Sequence, residues 1–285
     1  MIDIYKIDGA INNDPHKCFE SEDTYPEFQE KLVFFKQLLI EFVENNESRT
    51  FYKYGDGDYY FLKKMPVGSA TPGRRALSKS YESIGHEAFV EGAHLCDYYT
   101  CEIYPENRQR FSEVIEKEID FPAEFGYGLV ANKWFFETFA GKIGLIGANT
   151  KMNIIQNVME APQYQEYLGL EKFEDYISLP QKFACDDIDA TEKMVGEQLE
   201  KSTSKIFLMG MGHVKSGLIH RLKKYTDAVF LDVGASIDAI AGIIDIDRPY
   251  MADWTNYQID EIQLYDGVDL LAYEGKGKHI LLERE

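Results

Sequence analysis

Lys205-Ile206-Phe207-Leu208-Met209-Gly210-Met211-Gly212-His213-Val214-Lys215 begins as an apolar run, breaks at two glycines and continues as a helical pattern to Lys224. A short apolar stretch bounded by turn residues reads as a strand buried on both faces. The same order of features recurs on either side. Upstream, Lys142-Ile143-Gly144-Leu145-Ile146 runs into Gly147-Ala148-Asn149-Thr150 and a helical pattern through Met159. Tyr176-Ile177-Ser178-Leu179 closes at Pro180, and a helix is expected from about Asp187 to Leu199, with Asp187 or Asp189 as its cap. Downstream, Ala228-Val229-Phe230-Leu231-Asp232 ends in Val233-Gly234-Ala235-Ser236. Four buried strands alternating with three helices, in units of roughly thirty residues, predict right-handed βαβ crossovers. The expected fold is α/β: a Rossmann-like, doubly wound, mainly parallel sheet with helices on both faces. Ligands of such sheets bind beyond the carboxyl ends of the strands. Here those ends carry Gly147 and Asn149, Ser178 and Pro180, Gly210 and Gly212, and Gly234 and Ser236, a rim with room for a ligand.

The first half adds an N-terminal helical elaboration. From Pro26 to Asn45, Phe28, Leu32, Phe35, Leu39 and Phe42 recur at three- and four-residue steps, the apolar stripe of a packed helix. Met65 to Gly73 is a loop rich in Pro, Gly, Ser and Thr that opens a helix carrying Arg74 and Arg75. Further helical patterns run from Phe111 to Ile119 and from Leu129 to Phe139. One domain is expected, made of an arm (1–25), a helical part (26–140), the βαβ part (141–246) and a C-terminal extension (247–285).

Composition narrows the function classes. The chain has 285 residues, 45% of them hydrophobic, and a formal net charge of −19. Such a field repels nucleic acid and anionic membranes, although a phosphate ligand can still be held by local donors. The N-terminal residues show no basic region followed by an apolar run, and no stretch has the length of a membrane span, so a cytoplasmic protein is expected. Cys18, Cys96, Cys101 and Cys185 form no CxxC pair and read as free thiols in a reducing compartment.

Tyr54-Gly55-Asp56-Gly57-Asp58-Tyr59 follows the short run Phe51-Tyr52-Lys53. Glycine permits a sharp turn or a close approach of backbone to ligand. Two carboxylates one residue apart, Asp56 and Asp58, can share a hard cation with a substrate phosphate. The same residues also make an ordinary acidic turn between strands.

Other groups carry weaker signals. The Gly210–Lys215 segment opens a helix where backbone N–H groups favour an anion. It matches neither the dinucleotide fingerprint nor a P-loop, and a plain strand–helix turn explains it equally. Leu231-Asp232-Val233-Gly234 resembles the acidic turn of S-adenosylmethionine methyltransferases, but that turn opens their sheet and this one stands late in the chain. Arg74 and Arg75 can grip phosphate or simply begin a solvated helix. Asp238 or Asp245 would serve as a base, or cap a helix. Trp254 and Tyr257 would stack on a sugar ring or sit in a core.

In the order of these motifs the chain resembles the GT-D-type bacterial glycosyltransferases. They carry a GDGE-like turn after a short N-terminal strand, a strand ending near proline, a strand–glycine turn–helix, and a strand running into Asp-x-Gly. Here these are Tyr54 to Asp58, Ile177 to Pro180, Leu208 to Lys215 and Phe230 to Gly234, and the likeness spans roughly residues 27 to 245. Asp58 replaces the family's usual glutamate, and Lys53 stands where arginine is common, a point charge for a planar fork. The segment from Asp247 to Glu285 is unlike the family's ending.

The resemblance implies sugar transfer from a nucleotide diphosphate sugar, a UDP-sugar favoured, to a carbohydrate or glycoprotein acceptor. Asp56 and Asp58 would place Mn²⁺ or Mg²⁺ on the diphosphate, and Asp238 would be the base of an inverting reaction. The expected donor-binding residues are Lys53, Tyr54, Gly55, Gly57, Arg74, Arg75, Asn149, Ser178, Pro180, Gly210, Met211, Gly212, His213, Lys215, Asp232 and Gly234. A homo-oligomer is compatible with this reading. A methyltransferase and a non-catalytic nucleotide-binding module are the alternatives from other classes.

Overall fold

The computed structural model describes residues 28–65, 85–102, 105–131, 133–180, 184 and 186–242, apart from the side chains of residues 28, 29 and 56. Seven strands form one sheet: β1 (Arg49–Tyr54), β2 (Tyr98–Cys101), β3 (Phe121–Pro122), β4 (Ile143–Ala148), β5 (Asp175–Leu179), β6 (Ile206–Gly210) and β7 (Val229–Asp232). Their order is β3-β2-β1-β7-β6-β4-β5, and every pairing is parallel. The expected α/β architecture is therefore present. The four strands read from the second half are joined by three from the first, and β1 lies between β2 and β7.

Alternation along the strands divides the core in two. In β1, Phe51 points to one face while Tyr52 and Tyr54 point to the other; in β6, Ile206 and Leu208 oppose Phe207 and Met209. The first face is covered by α1 (Phe28–Asn45), α5 (Ala123–Ala131), α6 (Trp134–Thr138), α7 (Asn149–Val158), α8 (Pro162–Leu168) and α11 (Ser236–Ile240). The second face is covered by α2 (Asp56–Leu62), α3 (His86–Ala93), α4 (Pro105–Ser112), α9 (Ile188–Leu199) and α10 (Lys215–Leu222). A sheet buried on both sides needs apolar residues at successive positions, which is why the strand runs showed no polar alternation. Among the described residues no helix is long and apolar enough to cross a membrane.

Several elements differ from expectation. Tyr54 to Asp58 is not a turn between strands: β1 ends at Tyr54, Gly55 is extended at φ −126°, and α2 starts at Asp56. Asp56 and Asp58 thus stand in a first helical turn, where negative charge complements the exposed N–H groups. The single helix expected over 129–139 is broken at Lys133, whose φ is +64°, so that one helix ends at Ala131 and a second begins at Trp134. The helix expected to begin near Phe111 instead ends at Ser112, though Phe111 and Ile115 both reach the core.

One close approach sets α10, which carries the site. A Cβ on Gly92 of α3 would lie 2.4 Å from the Ser216 carbonyl oxygen and 3.0 Å from Gly217 Cα, so α3 and α10 meet backbone to backbone. At the other end of the sheet, Gln198 of α9 accepts from the Ser178 N–H and donates to the Ser178 carbonyl, both at 3.0 Å. That side chain satisfies backbone groups on the edge strand β5.

Candidate functional site

The connection after β1 packs on the second face and the connection after β7 on the first. Adjacent strands whose chains diverge in this way open a crevice at their carboxyl ends. Three of the sequence motifs meet there. Lys215, the first residue of α10, turns its ammonium inward, 3.0 Å from Asp58 Oδ2 and 2.9 Å from Asp232 Oδ2, and also donates to the Lys53 carbonyl. The Tyr52 ring lies 4.9 Å from the same nitrogen. All three charged side chains are buried, with Lys215 7% exposed, Asp58 3% and Asp232 4%.

Each carboxylate is also tied to a turn. Asp58 Oδ2 accepts the Gly55 N–H at 2.7 Å, and Asp58 Oδ1 accepts the Tyr52 hydroxyl at 3.2 Å. Asp232 Oδ1 accepts the Gly234 N–H at 2.9 Å, in a turn where Gly234 has φ +51°. Burial by itself depresses a lysine, but Asp232 and Asp58 outweigh it and hold Lys215 above its ordinary value. Burial, and then the Asp58 charge, pushes the Tyr52 hydroxyl well above the usual phenol range, so it stays a donor.

Above this cluster lies Lys53. Its ammonium stands 3.8 Å from Glu102 Oε1 and 5.1 Å from the centre of the Tyr127 ring. Glu102 is held by the Tyr127 hydroxyl at 3.2 Å and by Asn107 at 2.9 Å. A Cβ on Gly55 would be 3.2 Å from Lys53 Nζ, and one on Gly234 would be 3.4 Å from Lys53 Cδ, so the lysine side chain lies between the two turns. On the second face, His213 is buried against Phe61 at 4.7 Å between ring centres, and its Nε2 lies 3.0 Å from where a Cβ on Gly57 would be.

The other expected residues are distributed differently. Asn149 follows β4, Ser178 lies in β5 and Pro180 follows it, and β5 stands four strands from β1, about 19 Å at the usual spacing. Ser178 is occupied by Gln198, and Pro180 is exposed. Met211 packs in the core, 6% exposed. The room expected beside Gly147 and Gly210 is filled: a Cβ on either would fall 2.9 Å from a neighbour, Met152 Cε or Ile237 Cγ1 respectively. Gly212, with φ +60°, faces open space. Tyr54 is fully buried, its ring edge-on to Phe111 at 5.3 Å between centres. Asp238, in the first turn of α11, is paired with Lys151 of α7. Arg74, Arg75, Asp245, Trp254, Tyr257 and the 247–285 segment lie outside the described residues.

Compared with known protein families, curated proteins and solved structures, the chain finds no match in any of the three. Function therefore rests on the site itself. Sequence reasoning missed Tyr52, Glu102, Tyr127 and Lys151. Tyr52 was absorbed into an apolar run, and Glu102 and Tyr127 gain meaning only when β2 and α5 come beside β1. Asp58 does not fit a directly bound divalent cation: one oxygen is shared by Gly55 and Lys215, the other takes Tyr52, and an ammonium already lies against it. Among the described residues no three His, Cys, Asp or Glu side chains converge as a metal site.

Proposed function

We propose that this protein transfers a glycosyl group from a nucleoside diphosphate sugar, a UDP-sugar favoured, to a carbohydrate or glycoconjugate acceptor. One observation carries the reading. Asp58, Lys215 and Asp232 come from three of the motifs behind the resemblance, and they meet at the carboxyl ends of adjacent parallel strands. In this reading Lys53, at the rim of the cluster, meets the charge that develops on the departing diphosphate. The Gly212 turn offers the backbone approach that a phosphate needs.

Methyl transfer draws less support. Asp232 is 4% exposed, with Oδ1 accepting the Gly234 N–H and Oδ2 ion-paired with Lys215, so burial and the ammonium keep it from a ribose.

The test is a thermal-shift screen of nucleotide sugars, nucleoside diphosphates and S-adenosylmethionine, each with Mn²⁺ and with EDTA, since a ligand stabilises by mass action. Stabilisation by a nucleoside diphosphate, followed by its release from the matching sugar donor, is the expected result. Binding without any release of diphosphate would favour a nucleotide-binding module, and stabilisation by S-adenosylmethionine alone would exclude glycosyl transfer.

A further inference from the structure

A lysine ammonium has three protons to donate. Lys215 donates to the Lys53 carbonyl and is ion-paired with Asp58 Oδ2 at 3.0 Å and with Asp232 Oδ2 at 2.9 Å. The Tyr52 ring covers it at 4.9 Å. The ammonium is therefore buried between two carboxylates, and it stands at the first residue of a helix, where the exposed N–H groups oppose positive charge. Only the two carboxylates make that position tenable. A Mg²⁺ ion on Asp58 would need an oxygen at about 2.0–2.1 Å in a near-octahedral set, and Lys215 stands in its way with like charge.

We propose that Lys215 is the cation built into this site and that Asp58 is its counter-ion and not a metal ligand. Lys215 is a positioning residue. It draws Asp58 and Asp232 together; they in turn hold the N–H groups of Gly55 and Gly234, and those two turns flank the Lys53 side chain. The rim lysine is thus placed by the buried one. The role of this assembly in donor binding rests on the glycosyl-transfer reading, whereas the coordination of Lys215 does not.

The test uses the full chain with ¹⁵N-labelled lysine. A slowly exchanging ammonium resonance, absent from Lys215→Arg, is expected to keep the same shift in EDTA and in excess Mg²⁺, and to move in Asp58→Asn and Asp232→Asn. Should Lys215→Arg fail to fold, the response to the two Asn variants makes the assignment. A resonance that shifts or vanishes on adding Mg²⁺, or no protected resonance at all, overturns the proposal. In a second arm, Mn²⁺ affinity is measured by electron paramagnetic resonance in the presence of UDP. Asp58→Asn, which keeps an acceptor for Lys215, is expected to stay within about threefold of the wild type, whereas disturbing a metal's ligand shell typically costs about tenfold or more, and a loss of that size overturns the proposal. If the wild type binds neither UDP nor Mn²⁺ with UDP, glycosyl transfer fails as a reading, and the ammonium resonance alone decides the role of Lys215.

Discussion

Gly57 and His213 are neighbours on the second face: the imidazole Nε2 lies 3.0 Å from where a Cβ on Gly57 would sit. One residue belongs to the acidic motif and the other to the glycine turn after β6. The ring cannot withdraw, because Phe61 lies 4.7 Å behind it and both are buried. Gly57→Val is therefore expected to destabilise the fold by about 1–3 kcal/mol through overpacking. His213→Ala in the same chain should recover part of the loss, giving a coupling of about 0.5–3 kcal/mol by denaturant titration. Strictly additive effects would show that the two residues do not touch in solution.

Removing Lys215 should have the largest effect of any single substitution at the site. Lys215→Met leaves Asp58 and Asp232 buried with no cation between them, an expected cost of about 3–5 kcal/mol. The pH dependence has a definite sign. Because the folded-state value of Lys215 lies above its ordinary 10.5, its stabilisation is complete below that pH and is lost as pH rises through the folded value. The stability gap between wild type and variant should therefore be constant at neutral pH and narrow in the alkaline range above 10.5. A gap that stays unchanged as pH rises well above 10.5 would contradict the ion-pair assignment.

The seating of α10 depends on Gly92. An alanine there would put its Cβ 2.4 Å from a backbone carbonyl, which cannot rotate away as a side chain would. Gly92→Ala is expected to cost about 1–3 kcal/mol despite its better helix propensity. Thermal unfolding of the variant checks this, and a neutral result would mean that α3 and α10 are further apart than described.

The cysteines near the site should be inert. Burial pushes the Cys96 and Cys101 thiols up to about 12. With little thiolate available, neither should react with a disulfide reagent at pH 8 in the folded protein, and both should react once it is unfolded. Peptide mapping by mass spectrometry separates these two from Cys18 and Cys185. Rapid native labelling at Cys96 would indicate an opening of the core beside β2.

Much of the architecture was legible in the chain. The runs ending at Ile146, Leu179, Met209 and Asp232 announced buried strands because a sheet covered on both faces tolerates no polar alternation. The strands of the first half were harder to read. Tyr98–Cys101 and Phe121–Pro122 are four and two residues long, too short for a periodic pattern, and they exist because β1 offers β2 a partner and β2 offers one to β3.

The site followed the same division. Local chemistry was visible in residue order: carboxylates spaced by glycines, a glycine turn opening a helix, and an aspartate at a strand end. The partner of each group was decided by packing. Gly147 and Gly210 looked like space for a ligand, yet Met152 and Ile237 fill it, and Asp58 looked like an open ligand, yet Lys215 takes it. Periodicity and turn chemistry act between neighbours in the chain and can be read from it directly. Which charge neutralises which depends on residues brought together by strand order, and β7 falls beside β1 only when the whole sheet has assembled.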